Sequence, residues 1–247
     1  MKLPSNYLVI DLETSGLSPA DNFIWSVGLL AVLDGQPQTT MGEDFYLSHP
    51  PAMLKTATFE INRRKANAQG ITADRATLNE RTKDGQYYIA EEAFVKEVTE
   101  KGKDPKEVLQ HVADMINMFT DNKWPSAGAN YVKFDFAFLN YWFNYYSIKC
   151  DLPRERLIDT GILIKAAQLR RNQAAHESCK EFYVRVAAER AKGVFFSVDW
   201  CCKYFGLVEK LGLDMTKAHG AGFDCYITNL VLKEMVNEVL ASEGVMV

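Results

Sequence analysis

The first fifty residues consist of short apolar runs separated by turn residues, a pattern typical of β-strands. Residues 7–13 form an apolar run that ends in acids, residues 23–33 form a second run, and residues 38–47 form a third. Asp34-Gly35 stands between the second and third runs and is a strong hairpin signal. Three strands joined by tight turns predict an antiparallel meander at the start of the domain.

Later in the chain, the apolar spacing changes to that of helices. Asp104 followed by Pro105 is typical of a helix start, and an apolar face with helical period continues to Phe119. Further helices are predicted at 133–146, 161–170, 178–191, 197–205 and 220–241, with short strands at 124–130 and 157–160. This order predicts an α/β fold with a mixed central sheet, first an antiparallel meander and then parallel strands, flanked by helices.

The segment from residue 50 to residue 104 has no clear periodicity. Between residues 55 and 107 the chain carries eleven basic and ten acidic side chains, which indicates a solvated surface of mixed charge. We therefore predict short helices and loops there, inserted at the edge of the domain.

Composition and charge narrow the classes of protein. With 247 residues, 47% apolar and 24% charged, the chain can build one large core and is not disordered. Its net charge of −4 excludes a general polyanion-coating protein. The apolar runs are too short for a membrane helix and no signal peptide is visible, so we expect a cytoplasmic protein with no membrane partner.

The five cysteines fit a reducing compartment, because their number is odd and none belongs to a C-x-x-C pair. A zinc site made of Cys201, Cys202, Cys225 and His219 is the alternative, but the spacing matches no known ligand pattern. We interpret the cysteines as reduced and mostly buried thiols.

Asp11 and Glu13 are the most informative acidic residues. Residues two positions apart on a strand project from the same face, so both carboxylates would lie together at the edge of the core. Two like charges held close there are unfavourable unless a cation joins them, and all-oxygen ligands suit Mg²⁺ or Mn²⁺. The alternative is that both side chains point into solvent at the strand end.

Three later residues also have settings that suggest chemistry. Asp135 and Asp224 each fall in the first turn of a predicted helix, where an acid often only favours the helix N-terminus. His219 precedes the small residues 220–222, which leave room for a large ligand against the backbone, although an isolated histidine of this kind is more often an ordinary loop residue.

The order and setting of these residues resemble one family. The first motif is residues 9–17, with Asp11 and Glu13; the second combines residues 128–130 with 134–139, which include Asp135; the third is residues 219–225, with His219 and Asp224. Together they resemble the motifs of the DEDDh (DnaQ-like) 3′→5′ exonucleases, which include polymerase proofreading exonucleases, ribonuclease T and oligoribonuclease. The resemblance covers residues 5–48 and 104–240.

The resemblance implies a ribonuclease H-like fold and hydrolysis assisted by two Mg²⁺ or Mn²⁺ ions. Asp11, Glu13 and Asp224 would bind the ions, Asp135 would contribute directly or through water, and His219 would take the proton from the attacking water. The nucleic-acid contacts would come from Leu12, Thr14, Gly16, Leu17 and Asn130. Backbone around the first three would hold the terminal sugar and phosphate, Leu17 would press on the terminal base, and the product would be a nucleoside 5′-monophosphate.

The same resemblance predicts the extent of the domain and the partner that it binds. We expect residues 1–247 to form a single exonuclease domain, with an insertion at 73–103 because this stretch exceeds what a compact member of the family needs. The expected partner is single-stranded DNA or RNA with a free 3′ end. The sequence leaves open the choice between DNA and RNA and the oligomeric state, a homodimer included.

An aromatic cluster and a basic segment each allow two interpretations. The aromatic residues between 134 and 146 are mostly core at helical spacing, although one or two near Asp135 could stack on bases. Residues 149–192 hold ten basic and six acidic side chains, including Arg170-Arg171, and form either a phosphate track or a solvated helical face. The alternative function is a non-catalytic nucleic-acid-binding module on the same fold, which the full set of carboxylates disfavours.

Overall fold

The computed structural model of the protein describes residues 3–39, 42–85, 88–129, 131–152, 156–163, 178, 181, 184–185, 198–214 and 220–242. The strands are β1 (Tyr7–Thr14), β2 (Ile24–Leu33), β3 (Gln36–Pro37), β4 (Glu43–Tyr46), β5 (Ser126–Gly128) and β6 (Leu157–Asp159). The helices defined among these residues are α1 (Pro51–Ala68), α2 (Arg75–Lys83), α3 (Glu91–Lys101), α4 (Pro105–Asp121), α5 (Asp135–Tyr145), α6 (Val198–Tyr204), α7 (Leu207–Leu211) and α8 (Ala221–Ser242).

The six strands form one mixed sheet. β1 pairs antiparallel with β2 and parallel with β5, and β6 continues parallel beside β5. β2 also pairs antiparallel with β3 and with β4. The predicted α/β fold, with an antiparallel meander followed by parallel strands and flanking helices, is confirmed.

The two faces of β1 pack against different helices. Leu8, Ile10 and Leu12 belong to the core that α4 and α5 share with the sheet. Tyr7 and Val9 belong instead to the core formed with α8. Since side chains alternate along a strand, Asp11 and Glu13 continue the row of Tyr7 and Val9 toward α8.

Helix α8 is joined to β1 by two buried polar contacts. The Tyr7 hydroxyl donates a hydrogen bond to Asn229 Oδ1 at 2.6 Å. One turn closer to the start of the helix, Cys225 Sγ donates to the carbonyl oxygen of Val9 at 3.6 Å. These contacts fix the first turns of α8 along the strand that carries the predicted acidic pair.

The hairpin after β2 forms as predicted, but the strand that follows it does not. Asp34 and Gly35 have φ values of 49° and 76°, the left-handed pair that a tight hairpin turn requires. The continuous strand predicted over residues 38–47 is wrong, because pairing occurs only at β3 and again at β4. Gly42, with φ of 73°, bends the chain immediately before β4.

The middle segment is more helical than its sequence indicates. The prediction of only short helices over residues 50–104 is wrong, because α1 alone has 18 residues. Its apolar side chains form only a weak amphipathic pattern, and the buried ones, such as Leu54 and Ala57, pack with Phe94 and Val98 of α3 around Trp25. Most of the predicted insertion at 73–103 consists of α2 and α3.

Helices α4 and α5 follow their sequence signals closely, with one exception. Asp104 caps α4 by accepting hydrogen bonds from the amides of Lys106 and Glu107 at 2.9 and 3.2 Å. On α5, Phe138 is buried, whereas Tyr145 is 65% exposed, so not every aromatic residue of this helix belongs to the core. None of the helices in the described ranges is both long and apolar enough to cross a membrane.

Candidate metal centre

Three carboxylates from opposite ends of the chain meet beside β1. Asp11, Glu13 and Asp224 each place one carboxylate oxygen so that these atoms all lie within 4.8 Å of one another. All three side chains are partly exposed, so an ion could reach them from solvent. Among the described residues, these three form the group of acidic, histidine or cysteine side chains able to hold a metal ion. An all-oxygen set of this kind suits Mg²⁺ or Mn²⁺.

Glycine allows α8 to approach the sheet closely enough to bring Asp224 there. Gly28 is the cross-strand partner of Asp11, and a Cβ atom at Gly28 would lie 2.2 Å from the carbonyl carbon and oxygen of Ala221. A Cβ atom at Gly42 would lie 2.4 Å from the carbonyl oxygen of Gly222. The start of α8 therefore packs directly against the backbone of Gly28 and of Gly42, with no side chain between them.

Asp44 on β4 ties the same helix start to the sheet. Its Oδ1 accepts a hydrogen bond from the backbone amide of Gly222 at 2.7 Å. A carboxylate suits the first turn of a helix because the free amides there carry partial positive charge. By holding Gly222, Asp44 also fixes the position of Asp224, which follows Gly222 by two residues.

Asp135 lies at the N-terminus of α5 and is only 2% exposed. Its Oδ1 accepts a hydrogen bond from the backbone amide of Leu12 at 3.0 Å. Leu12 stands between Asp11 and Glu13, so this bond sets the position of the strand segment that carries both carboxylates.

The site has excess negative charge without an ion. Burial raises the pKa of Asp11 well above its usual value, and the charges of Asp135 and Asp44 raise it further. Burial also raises the pKa of Glu13, with Asp11 and Asp224 adding to the rise and Lys65 opposing it. Burial raises the pKa of Asp135 to about 8, against the hydrogen bond from Leu12. A divalent cation would relieve this repulsion, so the donor set fits such an ion.

The raised pKa values give a pH dependence to stability. The folded, metal-free protein holds protons that the unfolded chain releases near pH 4, so its stability should fall as pH rises from about 4 toward about 8, the pKa of Asp135. Added Mg²⁺ should raise the melting temperature, and more at pH 8 than at pH 6, because the ion binds the ionised native state. Melting curves at several pH values with EDTA or Mg²⁺ measure both effects. A metal-free melting temperature that stays level between pH 5 and 8 would contradict the expectation.

The chain that follows β1 forms a tight, well-bonded loop. Thr14 Oγ1 donates to the carbonyl oxygen of Gly16 at 2.7 Å, and the side chain of Asn22 fills the space where a Cβ of Gly16 would lie. Trp142 Nε1 donates to the carbonyl oxygen of Asn22 at 3.3 Å, which joins the loop to α5. Leu17 projects from this loop and is 72% exposed.

The structure places the predicted nucleic-acid contacts in different situations. Leu17 is available to a ligand, whereas Leu12 is buried and its amide is already engaged by Asp135. Thr14 is buried and Gly16 is half-buried. Asn130 and His219 lie outside the described residues, as does most of the basic segment at 149–192, including Arg170-Arg171.

The cysteines do not form the alternative zinc site within the described part of the chain. Cys201, Cys202 and Cys225 are buried, reduced cysteines, and Cys225 Sγ donates to the Val9 carbonyl oxygen. Burial raises the pKa of Cys201 to about 12, so its thiolate is strongly disfavoured. His219 and Cys179 are outside the described ranges.

Sequence reasoning missed several residues that shape the site. Asp44 had no signal, since it stands in a short polar strand. Gly28 did have one, because a glycine inside an otherwise apolar strand commonly marks a close approach of another backbone. Arg64 and Lys65, at the end of α1, lie in the segment that showed no periodicity.

Comparisons with solved structures identify the fold. The zinc-bound complex of Escherichia coli exonuclease I with single-stranded DNA aligns with a TM-score of 0.53 at 15% identity, over 97% of this chain and 41% of that one. A second structure of exonuclease I gives 0.51 at 17% identity, over 95% and 41%. A product-bound structure of exonuclease I gives 0.50 at 15% identity, over 97% and 44%.

The protein therefore has the ribonuclease H-like α/β fold of these exonuclease I chains, and it spans about two fifths of their length. No protein-family model matches the sequence, and no curated protein sequence matches it significantly.

Proposed function

We propose that the protein is a metal-dependent 3′→5′ exonuclease of the DEDDh type that releases nucleoside 5′-monophosphates from single-stranded nucleic acid. The observation that carries the proposal is the convergence of Asp11, Glu13 and Asp224 within 4.8 Å on a fold shared with exonuclease I. The exonuclease I structure with single-stranded DNA and zinc makes DNA the first substrate to test. We further propose that residues 1–247 act as one domain, with residues 73–103 as an addition to its edge.

In this proposal two Mg²⁺ or Mn²⁺ ions are held by Asp11, Glu13 and Asp224, with Asp135 contributing directly or through water. Bound ions would supply Lewis-acid chemistry that activates water and offsets the charge developing on phosphate oxygens. The protein's own part is positioning: Asp135 fixes the strand through the Leu12 amide, and Asp44 fixes the start of α8 through Gly222.

The loop after β1 is proposed to receive the 3′-terminal nucleotide. The exposed Leu17 supplies an apolar surface for the terminal base. The hydrogen bonds of Thr14, Asn22 and Trp142 keep the loop in place, so little ordering is needed when the substrate binds. A free 3′-hydroxyl fits beside this loop more readily than a 3′-phosphate, whose charge would meet the carboxylates.

The direct test uses 5′-labelled single strands with Mg²⁺ or EDTA. We expect stepwise shortening from the 3′ end in Mg²⁺, no reaction in EDTA, and strong protection by a 3′-phosphate. A circular strand should remain intact. Cleavage of circles would indicate an endonuclease, and binding without cleavage would support a non-catalytic module. Matched DNA and RNA strands in the same assay determine the polymer.

His219 is proposed as the general base, on the strength of the sequence motif. Its replacement by alanine should lower the single-turnover rate about 10²–10⁴-fold and remove the rise in rate across the imidazole pKa near 6.5. Binding of the strand should change little, because the carboxylates remain. Single-turnover rates from pH 5.5 to 9 at saturating Mg²⁺ test this, with His111→Ala on α4 as the matched control. A pH profile unchanged in His219→Ala would exclude this histidine as the base.

A further inference from the structure

The last turn of α1 brings two cationic side chains to the carboxylate site. Arg64 Nη2 donates a hydrogen bond to the main-chain oxygen of Thr14 at 3.4 Å, across 50 residues of sequence. Thr14 ends β1 and directly follows Glu13. Lys65 follows Arg64, and its charge acts on the carboxylate of Glu13. Both cationic side chains are half-buried, unlike most lysines and arginines at helix ends.

Two hydrogen bonds orient the guanidinium group of Arg64. Its Nε donates to the carbonyl oxygen of Glu60 one turn earlier, at 3.4 Å, while Nη2 reaches Thr14. A guanidinium carries five N–H donors in a rigid planar fork. The bonds to Glu60 and Thr14 use two of these donors and hold the plane of the group in place. A fork held in this way matches the geometry of a phosphate better than a free lysine does.

The charge around the site explains why a substrate needs such cations. Asp11, Glu13 and Asp224 gather within 4.8 Å of one another, and Asp44 and Asp135 add further negative charge to Asp11. A nucleic acid carries one negative charge at every phosphate. Ions held by the carboxylates would offset the charge of the phosphate that is cleaved, but the neighbouring phosphate would approach the same acidic surface. A cation at the edge of the site would offset that second repulsion.

We propose that Arg64 and Lys65 form a second phosphate subsite, which holds the phosphodiester adjacent to the one that is cleaved. This inference rests on the proposed exonuclease function and assigns part of its substrate binding to α1. Arg63, in the same turn, provides the contrast, because its guanidinium pairs with Glu60 at the surface.

Binding measurements separate phosphate recognition from a structural role. Fluorescein-labelled single strands are titrated in Ca²⁺ with the wild type, Arg64→Ala, Arg64→Lys, Lys65→Ala and Arg63→Ala. Arg64→Ala and Lys65→Ala should each weaken binding about tenfold or more. Each should also reduce the slope of log affinity against log salt concentration by about 0.7 in magnitude, because one phosphate contact is lost. Arg64→Lys should keep the salt slope but recover only part of the affinity. Arg63→Ala should match the wild type in both.

A chemically altered substrate provides the sharper test. A strand with a neutral methylphosphonate at the second phosphate from its 3′ end should bind the wild type as weakly as the unmodified strand binds the double variant Arg64→Ala/Lys65→Ala. The same strand should cause no further loss of affinity in that double variant, and only a partial loss in Arg64→Ala, which keeps Lys65. If Arg64→Ala lowers the melting temperature but keeps the wild-type salt slope and the wild-type response to methylphosphonate, Arg64 only fixes α1 to β1 and the inference is overturned. A wild type that neither binds nor shortens strands would instead overturn the proposed function.

Discussion

Asp11→Asn is expected to reduce cleavage by about 10³-fold or more, because loss of one ligand removes several kcal/mol of charge stabilisation and each ~1.4 kcal/mol is tenfold in rate. The same substitution should raise the melting temperature of the metal-free protein at pH 8. It removes a carboxylate whose pKa is raised by burial and by the charges of Asp135 and Asp44. Rates of strand shortening and melting curves in EDTA measure the two effects.

The opposite signs of the two effects distinguish a ligand from a structural residue. Asp114→Asn provides the control, since Asp114 is an exposed acid on α4, and it should leave both the rate and the melting temperature near wild-type values. The increase in melting temperature caused by Mg²⁺ should also shrink in Asp11→Asn. Near-normal cleavage by Asp11→Asn would show that the proposed site is not the site of catalysis.

Gly28→Ala is expected to damage the site although Gly28 binds nothing. The new Cβ atom would lie 2.2 Å from the backbone of Ala221, so the start of α8 must move away from β2 and carry Asp224 with it. Overpacking of this kind costs about 1–3 kcal/mol of stability. A displacement near 1 Å can lower a rate about 10²-fold. Cleavage rates measured well below the melting temperature, together with the Mg²⁺-induced rise in melting temperature, test the expectation.

Gly35→Ala is the matched control for this loss. Gly35 has φ of 76°, so an alanine there is strained by roughly 1–2 kcal/mol, but its Cβ would meet no atom within 4 Å. The variant should lose stability and keep the cleavage rate. Equal rates in Gly28→Ala and Gly35→Ala would show that backbone contact at Gly28 does not set the position of Asp224.

The parts of the fold that the sequence predicts well are those with local causes. β1 has an apolar run that ends in acids, α4 has Asp104 and Pro105 at its start, and the hairpin has Asp34-Gly35. Each signal acts within a few residues, so neighbouring sequence is sufficient to detect it. The mixed sheet follows from the order of these elements.

The parts that escaped prediction depend on contacts distant in sequence. The extent of α1 was missed because its buried side chains pack with α3 and Trp25 and leave little amphipathic pattern. β4 begins directly after Gly42, where the chain meets the backbone of Gly222. For the site, the motifs pointed to Asp11, Glu13 and Asp224, but the supports at Asp44, Gly28 and Arg64 act through space and carry no motif.

The docking of α8 on β1 also has a consequence for the order of events during synthesis. Tyr7 and Asn229 are separated by 222 positions, and Val9 and Cys225 by 216, so the interface belongs to the slowest class of native contacts to form. The β1–β2 hairpin can pair long before α8 leaves the ribosome, since chains fold from the N-terminus as they are made. A nascent chain thus carries Asp11 and Glu13 without their third partner. The group of three carboxylates is therefore complete only after α8 docks on β1.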